Sequence, residues 1–245
     1  MTYCVGMLVQ DGLVVIADTR TNAGVDNISA YRKLHMFETP GERIIAIATA
    51  GSLSVTQTTL SLLNEGILNP ETGHVETLYQ AADLFGAAEL VGAAVRKVRS
   101  EFGPAMEAEG VNTDVSFLVG GQVIGQPMRL FLVYTAGNFI ECGEDAPFLQ
   151  IGEYKYGKPI LDRALTYATS LADALKLGLL SVDSTIRSNL AVGLPLDIVV
   201  IRRDSLKAEI RTRITDDDPY FKDLGERWSA ALSAAHKDIP PPNYS

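Results

Sequence analysis

The chain predicts an α+β fold in which two antiparallel sheets are covered by layers of helix. Two observations point there. Strand-like segments arrive in runs and helical segments in pairs, which is the order expected of sheets capped by helix layers and not of βαβ units. The 245 residues are 47% hydrophobic, enough for one substantial core. Neither a linker nor a low-complexity stretch breaks the order, so residues 1–245 are expected to form a single domain.

The first run opens at once. Apolar stretches Thr2 to Val9 and Leu13 to Ala17 flank Asp11-Gly12, a strong two-residue hairpin signal. With that dipeptide as the turn, position 18 pairs with position 5, and a slip of one residue would turn Asp18 to the other face. After the polar loop TNAGVDN come YRKLHMF and RIIAIATA, separated by the turn former TPGE. A first sheet is therefore expected to be complete by about residue 50. GSLSVTQTTLSLLNEGI follows, with Leu53, Leu60, Leu63 and Ile67 at roughly helical spacing, and then the long alanine-rich VETLYQAADLFGAAELVGAAVRKVRSEF. Short β-rich pieces DVSFLVGG, MRLFLVYTA, NFIEC and FLQIG predict a second sheet. PILDRALTYATSLADALKLGLLSVDSTIRSNL reads as two helices, LDIVVIRR and KAEIRTRI as a hairpin around Asp204-Ser205, and the region of Trp228 as a last helix before the tail IPPPNYS. Two halves, each a sheet plus a helix pair, suggest an internal symmetry.

Composition excludes several classes of function. A formal net charge of -9 with no run of basic residues longer than two disfavours nucleic acid and anionic membranes as partners. Two cysteines, Cys4 and Cys142, cannot build a disulfide framework and lack metal-ligand spacing, so they read as small apolar fillers in a reducing, cytoplasmic setting. His35, His74 and His236 are dispersed, so neither a metal nor another cofactor is expected. TDDDPYF reads as a helix N-cap and not a cation site. No charged segment followed by an apolar run opens the chain and no stretch of 18 apolar residues follows, which argues against export or membrane insertion.

ADTRTNAG (Ala17 to Gly24), YRKLH (Tyr31 to His35), TAGS (Thr49 to Ser52) and FLVGG (Phe117 to Gly121) occur in the order and near the spacing of the proteasome family's β-type subunits. The chain resembles that family end to end, and MTYCVGM, DTRTNAGVD and SNLAVGLPLD look most like its bacterial Anbu group, the ancestral β-subunits. The resemblance implies the four-layer αββα sandwich of N-terminal nucleophile hydrolases. It also implies a threonine-type peptidase, with Thr2 as nucleophile once Met1 is removed. Threonine has a side chain small enough for aminopeptidases to accept in second place.

A threonine hydroxyl is a weak nucleophile, but at a free N-terminus its own α-amine can serve as general base. By resemblance, Lys33 is the catalytic lysine, Asp18 the aspartate that orients it, and Gly51 the glycine whose N–H stabilises the oxyanion. Arg20, in the same motif, is expected to be a structural ion-pair partner. Lys33 lies one residue closer to the nucleophile than in most relatives, implying a shortened loop. Where many relatives carry a Gly-Ser-Gly segment, IGEYKYG places Glu153, positioned to tune the amine, hold a water or impede the usual proton path. Asp183 and Ser188, in SVDSTIRSN, are nominated as the family's supporting aspartate and serine. Each residue alone is bland: a β-favouring threonine, a solvated lysine, a turn aspartate, a helix-start glycine. Peptides or unfolded proteins are the implied substrates, a homo-oligomer (ring or open spiral) the implied assembly, and an unfoldase or activator a further implied partner. The rival functions are a non-proteolytic amidase or acyl transferase of the same fold and a catalytically dormant binding assembly.

Overall fold

The computed structural model describes residues 1–22, 28–69 and 72–244. Two five-stranded antiparallel sheets face each other. One has the order β12-β1-β2-β13-β14, from Phe148–Gly152, Tyr3–Val9, Gly12–Asp18, Leu196–Arg202 and Ala208–Ile214. The other has the order β11-β10-β9-β6-β5, from Phe139–Glu141, Arg129–Val133, Val115–Val123, Arg43–Gly51 and Leu34–Thr39. Two small pairs complete the strands: β3 (Arg20–Asn22) with β4 (Ile28–Ala30), and β7 (Ile67–Leu68) with β8 (Val75–Glu76).

Alternation along the central strands explains the layers. In β1 the residues Tyr3, Val5, Met7 and Val9 join an apolar cluster with α3 (Lys158–Ala164), α4 (Leu171–Ser188) and α5 (Pro219–Asp238). Their neighbours Cys4 and Leu8 join a second cluster between the sheets, with Ile44, Ala46 and Ala48 of β6. Ile45 and Ile47 of β6 point the other way, into a third cluster with α1 (Leu53–Glu65) and α2 (Leu84–Ala108). A strand buried on both faces is apolar at every position, which is why β1 and β2 read as continuous apolar runs. Three apolar layers between four layers of structure make the αββα sandwich. Cys4 and Cys142 are buried and free, as fillers should be.

Four expectations need correction. The strands before residue 50 do not form one sheet: the β1–β2 hairpin and the β5–β6 hairpin go to different sheets, because β1 and β2 pair onward with β12 and β13 while β6 pairs with β9. Strands from both ends of the chain share one sheet, so the suggested symmetry of halves is absent from the described residues. The second helix does not begin near Val75; Val75–Glu76 pairs with Ile67–Leu68, and α2 starts after Asp83, whose Oδ1 accepts from the Gly86 N–H at 2.8 Å. Finally, Gly12 lies within β2 opposite Val9, which moves the turn to Gln10-Asp11. A Cβ on Gly12 would sit 2.2 Å from the Ile201 carbonyl oxygen, so glycine serves a close strand approach there and not a turn.

That shift sets Asp18 in register with Tyr3, since Cys4 faces Ala17 and the pairing steps outward by one. Positions 3 and 5 share a face, so a displacement of two leaves Asp18 on the side expected. The loop TNAGVDN is described only at Thr21 and Asn22; its residues 23–27, including the end of the ADTRTNAG motif and the expected one-residue shortening, lie outside the described residues. Asp218 caps α5, its Oδ1 accepting from the Phe221 N–H at 2.8 Å, which accounts for TDDDPYF. Among the described residues no helix is long and apolar enough to cross a membrane.

Candidate active site

Thr2 stands immediately before β1, 8% exposed, and its carbonyl accepts the Glu153 N–H at 2.7 Å. Gly152 makes this approach possible. Its φ is +83°, and a Cβ there would lie 1.9 Å from the Thr2 carbonyl oxygen. The start of β1 is thus clamped to the end of β12, as the pairing Tyr3 with Gly152 requires.

Asp18 ends β2 fully buried. Its Oδ1 accepts from the Tyr3 N–H at 3.1 Å and from Lys33 Nζ at 2.8 Å. Lys33 Nζ also donates to the Arg20 carbonyl at 2.6 Å, and the Lys33 carbonyl accepts the Thr49 N–H at 3.0 Å. An ammonium has three protons to donate. Two are committed, and Lys33 lines the same cleft as Thr2, so the third is available there. Burial pushes the Asp18 carboxyl above its ordinary range, against the Lys33 charge and the hydrogen bonds from Lys33 and Tyr3. Its Oδ2 is buried without a hydrogen-bond partner among the described residues.

The cleft holds about 820 Å³. Met1, Thr2, Lys33, Gly51, Asp114 and Glu153 line it, together with Thr21, Thr49, Leu53 and Asn112. Gly51 ends β6 with φ +103°, and a Cβ on it would collide with the Asp114 carbonyl oxygen at 2.1 Å. Glycine is therefore obligatory on two counts. The next residue, Ser52, is the N-cap of α1 and makes no side-chain capping bond, its own N–H donating to the Asp114 carbonyl at 2.8 Å.

The structure gathers Thr2, Lys33, Gly51 and Glu153 around one space, with Asp18 reaching it through its bond to Lys33. Asp183 and Ser188 are not among the residues lining it. Asp183 accepts from Arg187 Nε at 2.9 Å and packs its other oxygen against Gly225 of α5, and Ser188 is exposed at the end of α4. The next residue, Asn189, is the one that reaches the site: its Nδ2 donates to Glu153 Oε2 at 3.0 Å. Sequence reasoning missed it, since an asparagine closing a helix is ordinary. Arg20 forms no ion pair among the described residues; its Nη1 donates to the Leu190 carbonyl at 3.0 Å, because the loop after α4 offers it a carbonyl and no carboxylate. On the far side of β1, the Tyr3 hydroxyl bonds Ser181 Oγ and Gln150 Nε2, and burial pushes it up to about 12 despite those two bonds. Cys4 Sγ faces the Thr49 carbonyl at 3.7 Å, and burial raises its thiol far from the reactive range.

Neither a protein-family model nor a curated protein matches the chain. Solved structures do. Anbu (ancestral beta-subunit) from Yersinia bercovieri is 44% identical over 99% of this chain and 100% of its own, with a TM-score of 0.90. A structure described as the helical assembly of the Anbu complex from Pseudomonas aeruginosa is 45% identical over 99% and 98%, with a TM-score of 0.91. An Anbu mutant from Hyphomicrobium sp. strain MC1 is 46% identical over 99% and 100%, at 0.90.

Proposed function

The chain belongs to the Anbu family of proteasome-related β-subunits, and on that premise we propose that it is a threonine-type peptidase whose nucleophile is Thr2, uncovered by removal of Met1 in the cytoplasm. The observation that carries the reading is the chain of contacts from the Tyr3 N–H through Asp18 to Lys33 beside Thr2, in a cleft that also contains Gly51.

The chemistry follows from what each group can do. With Met1 gone, the Thr2 α-amine, ordinarily titrating at about 7.7 to 8, takes the hydroxyl proton as Oγ attacks a peptide carbonyl. Lys33 makes this easier by placing a positive charge beside the developing alkoxide. Asp18 holds Lys33 in place. The Gly51 N–H receives the oxyanion. The C–N bond then breaks, the leaving amine takes the proton held by the Thr2 ammonium, and an ester links the acyl group to Oγ. Water, giving a proton to the amine, attacks the ester; the acid leaves and Oγ recovers its proton. Peptides or unfolded proteins are the substrate class. Thr2→Ala, with peptide cleavage followed by mass spectrometry, tests the reading: cleavage that persists overturns it.

A dormant assembly is the second reading, favoured by Glu153 at the cleft wall, where it can impede the usual proton path. While Met1 is attached, the Thr2 nitrogen is an amide and no base, and Met1 itself lines the cleft.

The proposed assembly is a homo-oligomer of helical type, the arrangement described for the relative from Pseudomonas aeruginosa. Its support on this chain is α5. Phe221 and Leu224 are buried and Trp228 is half-buried, but the same stripe runs on to Leu232, which is 52% exposed, and Ile239, just past the helix end, is 69% exposed. The small residues of α2, by contrast, are used within the subunit: a Cβ on Gly92 would meet the Gly137 carbonyl oxygen at 2.2 Å. Light scattering on the eluting protein checks the assembly, and a monomer at working concentration contradicts it.

A further inference from the structure

We infer that Asn189 is a positioning residue for the proposed reaction: it holds the Glu153 carboxylate at the cleft wall, and through that charge sets the pH at which the Thr2 amine becomes a base. The inference rests on Thr2 being a free N-terminus.

The backbone of residue 153 is fixed relative to the nucleophile. Its N–H donates to the Thr2 carbonyl at 2.7 Å, and Gly152 is pressed against that same carbonyl. Only the side chain is left to be placed, and Asn189 places it, with Nδ2 to Glu153 Oε2 at 3.0 Å. The asparagine is itself locked. Its Oδ1 accepts the Ala191 N–H at 2.9 Å, which assigns the other end of the amide, Nδ2, to Glu153. Its backbone N–H closes α4 on the Thr185 carbonyl at 2.9 Å, and its carbonyl accepts from Val192 at 3.1 Å. The bond from Oδ1 satisfies the local turn. The bond from Nδ2 does nothing for that turn and spans the 36 residues to the cleft.

The chemical type of the partner matters. A lysine or arginine would hold Glu153 by cancelling its charge, whereas an amide holds the carboxylate and leaves the charge in place. Of the surrounding cations, Arg20 donates to the Leu190 carbonyl beside Asn189 and the other two are bound to aspartates. Lys33 is bound to Asp18, and Arg187 of α4 is turned to Asp183 at 2.9 Å. Asp114, on the opposite wall, has the same sign as Glu153. β6 contributes Thr49, Ala50 and Gly51 to the cleft, none of them charged. Among the described residues no cation pairs with Glu153 in a salt bridge, so its charge is left to act on the Thr2 ammonium, against the Lys33 charge in the same cleft. A carboxylate near an amine favours the protonated form and raises its midpoint.

The test is titration of the Thr2 amine, labelled by 13C reductive methylation on protein shown by intact mass to lack Met1 and followed by NMR. Glu153→Gln lowers the midpoint by about one pH unit. Asn189→Ala lowers it by less, and adds nothing when Glu153 is already glutamine. That dependence on Glu153 separates charge placement from loss of the turn. A midpoint unmoved by Asn189→Ala, or moved equally with and without Glu153, overturns the inference. A wild-type protein that lacks Met1 and titrates as described, yet forms no Thr2 adduct with an electrophile, instead overturns the peptidase reading and leaves the role of Asn189 standing.

Discussion

Two buried aspartates stand on neighbouring strands and are treated in opposite ways. Asp197 of β13 faces Ala17, and the residue before it, Leu196, faces Asp18 of β2. Asp197 is saturated: Arg213 Nε and Nη2 grip its two oxygens at 2.7 and 2.8 Å, and Arg32 Nε lies 3.8 Å away. Asp18 has one oxygen crowded by a backbone N–H and a lysine, and the other buried without a full hydrogen bond, near the Gly193 N–H. A planar guanidinium suits a pair that must only hold, because it matches a carboxylate in two places and does not give up its proton. An ammonium makes one contact to the carboxylate and keeps a proton for elsewhere. The complete pair belongs to the sheet, and the incomplete pair belongs to the cleft.

Removing the cation from each pair should separate these roles. Lys33→Ala leaves the Asp18 charge buried without a counter-ion, at a cost of about 3 to 5 kcal/mol in a urea melt. It also slows modification of Thr2 by an electrophile by about 10² to 10⁴-fold. Unchanged modification would erase the distinction drawn here. Lys33→Arg sharpens it: the charge survives and so does most of the stability, but the guanidinium does not fit a one-point contact, and Thr2 stays slow. Arg213→Ala costs about 1 kcal/mol, since that side chain is 39% exposed and screened and Arg32 remains near. Thr2 modification should not change.

The pH dependence is the finest probe. Burial raises the Asp18 carboxyl in the folded protein, so the folded state holds that proton more tightly than the unfolded chain does. Its contribution is complete below about pH 4, the ordinary aspartate value. It is lost as pH rises through the raised value, because between the two the unfolded chain binds fewer protons. The melting temperature of the wild type relative to Asp18→Asn should therefore fall as pH rises from about 4 and then level off. A rise over that range contradicts the burial argument.

Local pattern carried much of this into view. Helix periods and turn residues marked most elements, and Thr2, Asp18, Lys33 and Gly51 were identified through their motif context. What stayed hidden depended on contacts far apart in sequence. β1, β2 and most of β6 are buried on both faces, so nothing within them says that β1 pairs with residues 148–152 and β6 with residues 115–123. Asp11-Gly12 carries a turn signature, yet the glycine answers to the Ile201 backbone. Asn189 shows its reach only once α4 ends against β12. Arg20 was expected to meet a carboxylate and meets a carbonyl, a choice made by the loop after α4.

The central claim is that Thr2, freed of Met1, is a nucleophile. Intact mass of protein expressed with an active methionine aminopeptidase, before and after incubation with an epoxyketone directed at N-terminal threonine, measures this most directly. The account predicts loss of Met1 followed by one covalent adduct per chain on Thr2, absent in Thr2→Ala. Loss of Met1 with no adduct would contradict it.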